Sequence, residues 1–190
     1  MSDNCPSNME EKLYNFFMNT LMKSDIIVDK PLKTYTTLLR LQQDFQEGRY
    51  FQTMMRLSCL IESILYELLL LKLPTPPHKL LVKEVRKMQE ISLGILIDWA
   101  SGGSIPRERI KIICYPTNLN PPIINEKEKE ILHNLREIRN DIAHTSFLTY
   151  DENLKKEVIK KIIDDVEPIH HKIIEEIIKI TDEKLTNISQ

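Results

Sequence analysis

The sequence predicts an all-α protein, a bundle of about five to six helices that includes long antiparallel ones. Glycine is scarce, with 4 Gly against 10 Pro in 190 residues. Apolar residues recur at helical spacing through most of the chain, and Pro and Gly gather at a few points between these segments. Apolar residues make up 42% of the chain and charged residues 28%, which is typical of a globular protein of one domain.

The first part of the chain predicts a short lead followed by two helices. We expect residues 1–8 to form a flexible polar lead and residues 9–188 to form a single domain. Apolar spacing predicts a helix over 9–22. A second helix begins at Pro31, because proline is tolerated in the first turn, and ends at Gly48, because glycine is favoured just past a helix end.

The centre of the bundle is predicted in the next segment. Residues 49–73 are strongly apolar on most sides, which is typical of a buried central helix, and we expect Cys59 to be a small core residue there. A proline cluster ends this helix. Another helix is predicted over 78–99, with Trp99 closing the core, and a pair of glycines ends it.

An irregular insertion is predicted around 100–125. A short helix over 104–113 and a short strand near 110–114 both remain open, whereas 118–122 is a loop on either interpretation. Asn125 is a favourable cap for the next helix, whose first turn is acidic. The apolar stripe of that helix comprises Ile131, Leu135, Ile138 and Ile142. The last predicted helix runs from 151 towards 188, with Pro168 expected to kink or split it.

Composition and charge exclude several classes of protein. The net charge of −2 argues against a polybasic protein that coats nucleic acid. The three cysteines are odd in number and lack the spacing of metal ligands, which favours a reducing, cytoplasmic location. Charges interrupt the most apolar run, at 57–73, so no membrane span is expected, and residues 1–11 show no secretory signal. We expect no metal and no cofactor.

Four polar side chains in one helix suggest chemistry. Arg136, Asn140 and His144 follow one another at i, i+4 and i+8, so they share one side of the helix. Arg139 lies at the border between that side and the apolar stripe. An imidazole can transfer a proton near neutral pH, and a guanidinium can hold a phosphate and stabilise charge that develops on it. The pattern predicts metal-free phosphodiester chemistry, although polar residues on a helix are more often simply solvated.

These residues also carry a family resemblance. The six residues from Arg139 to His144 resemble the Arg-x4–6-His motif of the HEPN superfamily, in its Arg-Asn-x-x-x-His form. The segment 44–50, running into Glu62, resembles the first helical hairpin of such domains. The combination is similar to the HEPN ribonuclease domains of CRISPR type III ancillary nucleases.

The resemblance implies a helical bundle that forms a homodimer, with one composite, metal-independent site where two motif helices meet. His144 would be the general acid and base, Arg139 would bind the scissile phosphate of a single-stranded RNA, and Asn140 would support it. Arg136 and Arg139 would supply positive charge for RNA binding. Attack by the ribose 2′-hydroxyl would leave a 2′,3′-cyclic phosphate, so DNA should resist. A role in antiviral or CRISPR-associated defence is implied.

Two alternatives remain. Some HEPN domains are non-catalytic scaffolds, and others are toxins of toxin–antitoxin or abortive-infection pairs. The toxin branch often has Tyr two positions after the histidine, where this chain has Ser146. No sensor domain for a cyclic oligonucleotide fits in the chain. The chain would then act alone, be a fragment of a larger nuclease, or depend on a separate regulatory protein.

Several other polar residues are expected to be structural. Glu62 and Arg56 interrupt an apolar helix, and an ion pair is the favoured interpretation for them. His133 is expected at the surface. The adjacent His170 and His171 point to different faces of a helix, which makes a metal role improbable. A basic run over 79–87 is expected to be a solvated face.

Overall fold

The computed structural model describes residues 30–72, 91–105, 119–144 and 156–188, and in these residues it confirms the predicted all-helical bundle. The predictions for 1–29, 79–87 and 110–114 lie outside the described residues. The described residues form five helices: α1 (Lys30–Gln46), α2 (Tyr50–Leu71), α3 (Leu93–Ala100), α4 (Glu126–His144) and α5 (Lys156–Ile188).

A tight turn joins α1 and α2 into an antiparallel hairpin. Gly48 has a φ of 74°, a left-handed conformation that glycine adopts without the steric cost of a Cβ atom. The backbone amide of Arg49 donates to the carbonyl oxygen of Asp44 at 2.7 Å. The predicted helix end at Gly48 is therefore confirmed, and the turn brings the start of α2 back beside the end of α1.

The longest helices, α2 and α5, pack along each other in the same direction. Lys72, just past α2, pairs with Glu176 of α5 at 3.0 Å. At the opposite end, the ammonium of Lys156 lies 5.9 Å from the ring centre of Phe45, close to the start of α2. Both helices place branched apolar side chains in the core, including Ile61, Leu65, Leu68, Leu69, Ile159, Val166, Ile169 and Ile173.

Helix α4 runs against the direction of α2 and α5, as predicted for an antiparallel bundle. Its first turn is capped reciprocally: the amide of Glu128 donates to Asn125 Oδ1 at 2.9 Å, and the amide of Asn125 donates to the Glu128 carboxylate at 2.7 Å. This capping box confirms the predicted start. Leu135 and Ile142 of the predicted stripe are buried, and Leu132, which the prediction omitted, is fully buried with them.

Two boundary predictions differ from the structure. The predicted helix over 78–99 is interrupted, because Ile91 and Ser92 are not helical and α3 starts only at Leu93. Ser92 has extended backbone angles, φ −73° and ψ 156°, which end any helix that precedes it. Pro168 does not split the last helix, since α5 continues through it.

Trp99 closes the core of the bundle, as predicted. Trp99 of α3 has an exposed fraction of 0% and is the largest of the fully buried side chains. The predicted irregular insertion begins after α3, with non-helical backbone over 101–105, and it ends with non-helical backbone over 119–125. Among the described helices, none is long and apolar enough to cross a membrane.

Candidate active site on the fourth helix

The predicted site residues lie in the last turns of α4, and Arg139 is tied to the central helix. Its Nη2 donates to Glu62 Oε2 of α2 at 3.3 Å. The side chains are 27% exposed for Arg139 and 35% exposed for Glu62. Helical spacing places Arg139 at the border of the polar face, where α4 meets α2. One nitrogen of the guanidinium is therefore held while the side chain still reaches solvent.

Asn140 and His144 occupy the open side of the same helix. Asn140 is half-buried and His144 is exposed at the final helical position. The i, i+4 relation keeps these two side chains neighbours. Because Ile142, between them in sequence, is buried, the core fixes the rotation of α4 and keeps the imidazole directed outward. The last turns of α4 thus carry an amide and an imidazole on the open side and the Arg139 guanidinium on the side that meets α2.

Arg136 is held more closely than the sequence predicted. A Cβ atom built on Gly94 of α3 would collide with Arg136 Nη1, which shows that the guanidinium lies directly on this glycine. Its Nε is buried without a hydrogen-bond partner in the part of the chain that the structure describes. Its Nη2 lies 3.6 Å from Glu137. Arg136 therefore packs against α3, whereas Arg139 is directed at α2.

The seam between α3 and α4 contains a polar cluster that the sequence did not reveal. His133 Nε2 lies 3.1 Å from Asp98 Oδ1, and Lys129 Nζ lies 3.3 Å from the same oxygen. The side chain of His133 is only 23% exposed, so the expected surface histidine is in fact a half-buried contact between two helices. The i, i+4 spacing of Lys129 and His133 was the available signal, and their shared partner Asp98 was not predictable from it.

A buried carboxylate joins α1 and α2 through ion pairs with two arginines. Asp44 is 3% exposed; it accepts from Arg56 Nε at 2.5 Å and from Arg49 Nε at 2.8 Å. Burial alone raises the pKa of Asp44, but the hydrogen bonds and charges of Arg56 and Arg49 outweigh it and lower the pKa below its ordinary value. Glu62 and Arg56 are thus both in ion pairs, as predicted, but each with a different partner.

The prediction that Cys59 is a core residue is wrong. Cys59 is exposed on α2, although Ser58 and Leu60 on either side of it are buried. In the sequence of α2, Cys59 lies midway between Arg56, which contacts Asp44 of α1, and Glu62, which contacts Arg139 of α4. An apolar run of sequence does not show which single turn position remains uncovered.

A buried histidine lies on the far side of the bundle. His170 of α5 is 6% exposed and borders a small cavity of about 50 Å³ against Leu41 of α1 and Leu57 of α2. Burial, with a smaller effect of the His171 charge, lowers the pKa of His170 to about 4. The described residues contain no group of three or more His, Cys, Asp or Glu side chains arranged to hold a metal ion.

The Arg139–Glu62 pair should contribute little to stability, because both side chains reach water. We expect Glu62→Gln to lower the free energy of unfolding by less than about 1 kcal/mol. A double-mutant cycle with Arg139→Gln, measured by urea unfolding, should give a coupling of about 0.2–1 kcal/mol. Glu130→Gln, at an exposed position of α4, serves as the control. A coupling well above 2 kcal/mol would show that the pair holds the bundle together.

Comparisons with protein-family models, with curated proteins and with solved structures each found no match. The polar side chains at the end of α4 are one guanidinium held by Glu62, one amide and one exposed imidazole.

Proposed function

We propose that the protein is a metal-independent endoribonuclease of the HEPN type that cleaves single-stranded RNA. The single observation that carries the proposal is the arrangement at the end of α4, where Arg139 is held through one nitrogen by Glu62 while Asn140 and His144 lie on the accessible side. A guanidinium held in this way keeps further N–H groups for a phosphate. The resemblance to the Arg-Asn-x-x-x-His motif agrees with this chemistry.

The proposed reaction assigns one role to each side chain. His144 accepts the proton of the ribose 2′-hydroxyl and, after the hydroxyl oxygen has attacked the phosphorus, a protonated imidazole donates a proton to the departing 5′-oxygen. Arg139 binds the non-bridging oxygens as negative charge develops on them. Asn140 orients the phosphate or the imidazole. The products are a 2′,3′-cyclic phosphate and a free 5′-hydroxyl.

One motif helix supplies a single imidazole, whereas the reaction uses a base and an acid. We therefore propose a homodimer in which the accessible ends of two α4 helices face each other, so that two copies of His144 and Arg139 form one site. Single strands are the favoured substrate, because unpaired bases can be splayed away from a scissile phosphate. A separate regulatory protein and a role in antiviral or CRISPR-associated defence are consistent with this proposal.

The proposal is tested by incubating the purified protein with labelled single-stranded RNA and with DNA of the same sequence, both in EDTA. We expect cleavage of the RNA alone, with a cyclic phosphate on the 5′ product. A substrate with a single 2′-deoxy sugar at the cleavage position should resist there. Light scattering should give twice the chain mass of 22.4 kDa. Equal cutting of DNA, or no cutting by a verified dimer at high concentration, would contradict the proposal.

A non-catalytic interaction module is the second candidate, and one observation favours it. The Arg139–Glu62 contact at 3.3 Å joins α4 to α2, so the motif arginine has a structural partner. If the protein is a scaffold, the parent chain does not cleave RNA, and Arg139→Gln changes only the stability of the fold. The RNA assay separates these two candidates directly.

A further inference from the structure

The arginines of the α1–α2 hairpin are not equally neutralised. Arg49 donates to Asp44 through Nε at 2.8 Å, and its Nη2 lies 2.7 Å from the same carboxylate. Arg49 also contacts Glu47 through Nη1. Among the residues that the structure describes, Arg56 forms its ion pair with Asp44 alone, through Nε at 2.5 Å. Two carboxylates thus contact Arg49, whereas Arg56 shares a single one, Asp44, with Arg49.

The contact with Asp44 orients the Arg56 guanidinium through Nε and does not involve its two terminal nitrogens. Among the described residues, no hydrogen bond from Nη1 or Nη2 of Arg56 is present, and the side chain is 36% exposed. A guanidinium that donates through Nε keeps terminal N–H groups that suit the oxygens of a phosphate. Arg139 is also held through one nitrogen, but through its terminal Nη2, which contacts Glu62, and it is partly exposed.

Arg56 lies on α2, and Arg139 contacts the same helix through Glu62. Arg56, Cys59 and Glu62 follow at i, i+3 and i+6, which is a diagonal of about 9 Å along the helix axis. Cys59, midway between Arg56 and Glu62 on this diagonal, has a small side chain and is exposed. A chain of phosphates bound at Arg139 can therefore continue over α2 towards Arg56.

We propose that Arg56 is a second phosphate-binding residue of the same site and holds a phosphodiester that flanks the scissile one. This inference rests on the ribonuclease function proposed above. In it, Asp44 is a positioning residue: its buried carboxylate fixes Arg56, and Arg49 completes the local charge balance. The RNA strand would cross the exposed face of α2 between α1 and α4.

The test measures binding of a short labelled single-stranded RNA, by fluorescence anisotropy at several salt concentrations, in the His144→Ala background. We expect Arg56→Gln to weaken binding about tenfold and to make the slope of log K against log salt shallower by about 0.7, the value for one phosphate contact to a single strand. Arg56→Lys, which retains the charge, should preserve the slope.

The buried carboxylate requires its own control. Asp44→Asn disturbs the same ion pair but keeps the Arg56 guanidinium, so its salt slope should stay unchanged. If Arg56→Gln does not fold, Asp44→Asn/Arg56→Gln compared with Asp44→Asn isolates the guanidinium. If the unaltered chain cleaves RNA but Arg56→Gln leaves the salt slope of binding unchanged, only the proposed role of Arg56 is overturned. Absence of RNA binding and cleavage by the unaltered chain overturns the ribonuclease proposal and this inference together.

Discussion

Replacement of His144 by alanine is expected to reduce RNA cleavage by about 10²–10⁴-fold, the usual contribution of a general acid or base. The imidazole is exposed at the last position of α4, so its removal creates no cavity in the core. A protonated imidazole also interacts favourably with the carbonyl end of the helix, and losing this interaction costs about 0.3–1 kcal/mol. Rate constants under single-turnover conditions, with saturating enzyme, measure the effect without interference from product release.

The matched control for this experiment is His133→Ala. His133 lies on the same helix but contacts Asp98 of α3, away from the end of α4. We expect the free energy of unfolding of the His133→Ala variant to be about 1 kcal/mol lower and its cleavage rate to be unchanged. Similar losses of activity in both variants would show that activity follows the stability of α4 and would remove His144 from its proposed role.

Acidification is expected to destabilise the protein through His170. Burial lowers the pKa of this imidazole to about 4 in the folded state, whereas the unfolded value is about 6.5. The unfolded chain therefore binds more protons between these values, and stability is lost as the pH falls from about 6.5 towards 4. For this one group, the loss between pH 7.5 and pH 5 is about 2 kcal/mol.

Urea unfolding at the two pH values measures this effect against a variant. His170→Leu introduces an apolar side chain at the buried position and has no proton to bind. The loss of its free energy of unfolding on acidification should therefore be about 2 kcal/mol smaller than in the parent chain. His171→Ala, beside it but half-buried, should preserve most of the pH dependence. Equal pH dependence in the parent chain and in His170→Leu would contradict the assignment.

The sequence predicted those features that depend on local patterns. The Asn125 cap, the turn at Gly48 and the buried Trp99 follow from capping preference, glycine conformation and apolar spacing, and each is confirmed. The shared side of Asn140 and His144 also needs only helical geometry. Local rules of this kind act within about one turn and do not require knowledge of neighbouring helices.

The predictions that failed depend on how helices are rotated against one another. Whether Cys59 is covered depends on the positions of α1 and α4 around α2. That Arg139 contacts Glu62, while His133 contacts Asp98, depends on which neighbour each face of α4 meets. The break at Ser92 was missed because the apolar spacing continues through a residue whose backbone is extended. Such relations between distant segments are absent from the pattern of any single helix.

The parallel packing of α2 against α5 has a consequence for how the chain reaches its native state. The Lys184 ammonium contacts the Leu71 carbonyl oxygen across 113 positions of sequence, whereas Arg56 reaches Asp44 across only 12. Local contacts form faster than those that close long loops. The α1–α2 hairpin can therefore assemble early, and the part of the apolar surface of α2 that packs against α5 stays uncovered until α5 has left the ribosome. During that interval the nascent protein is most prone to aggregate.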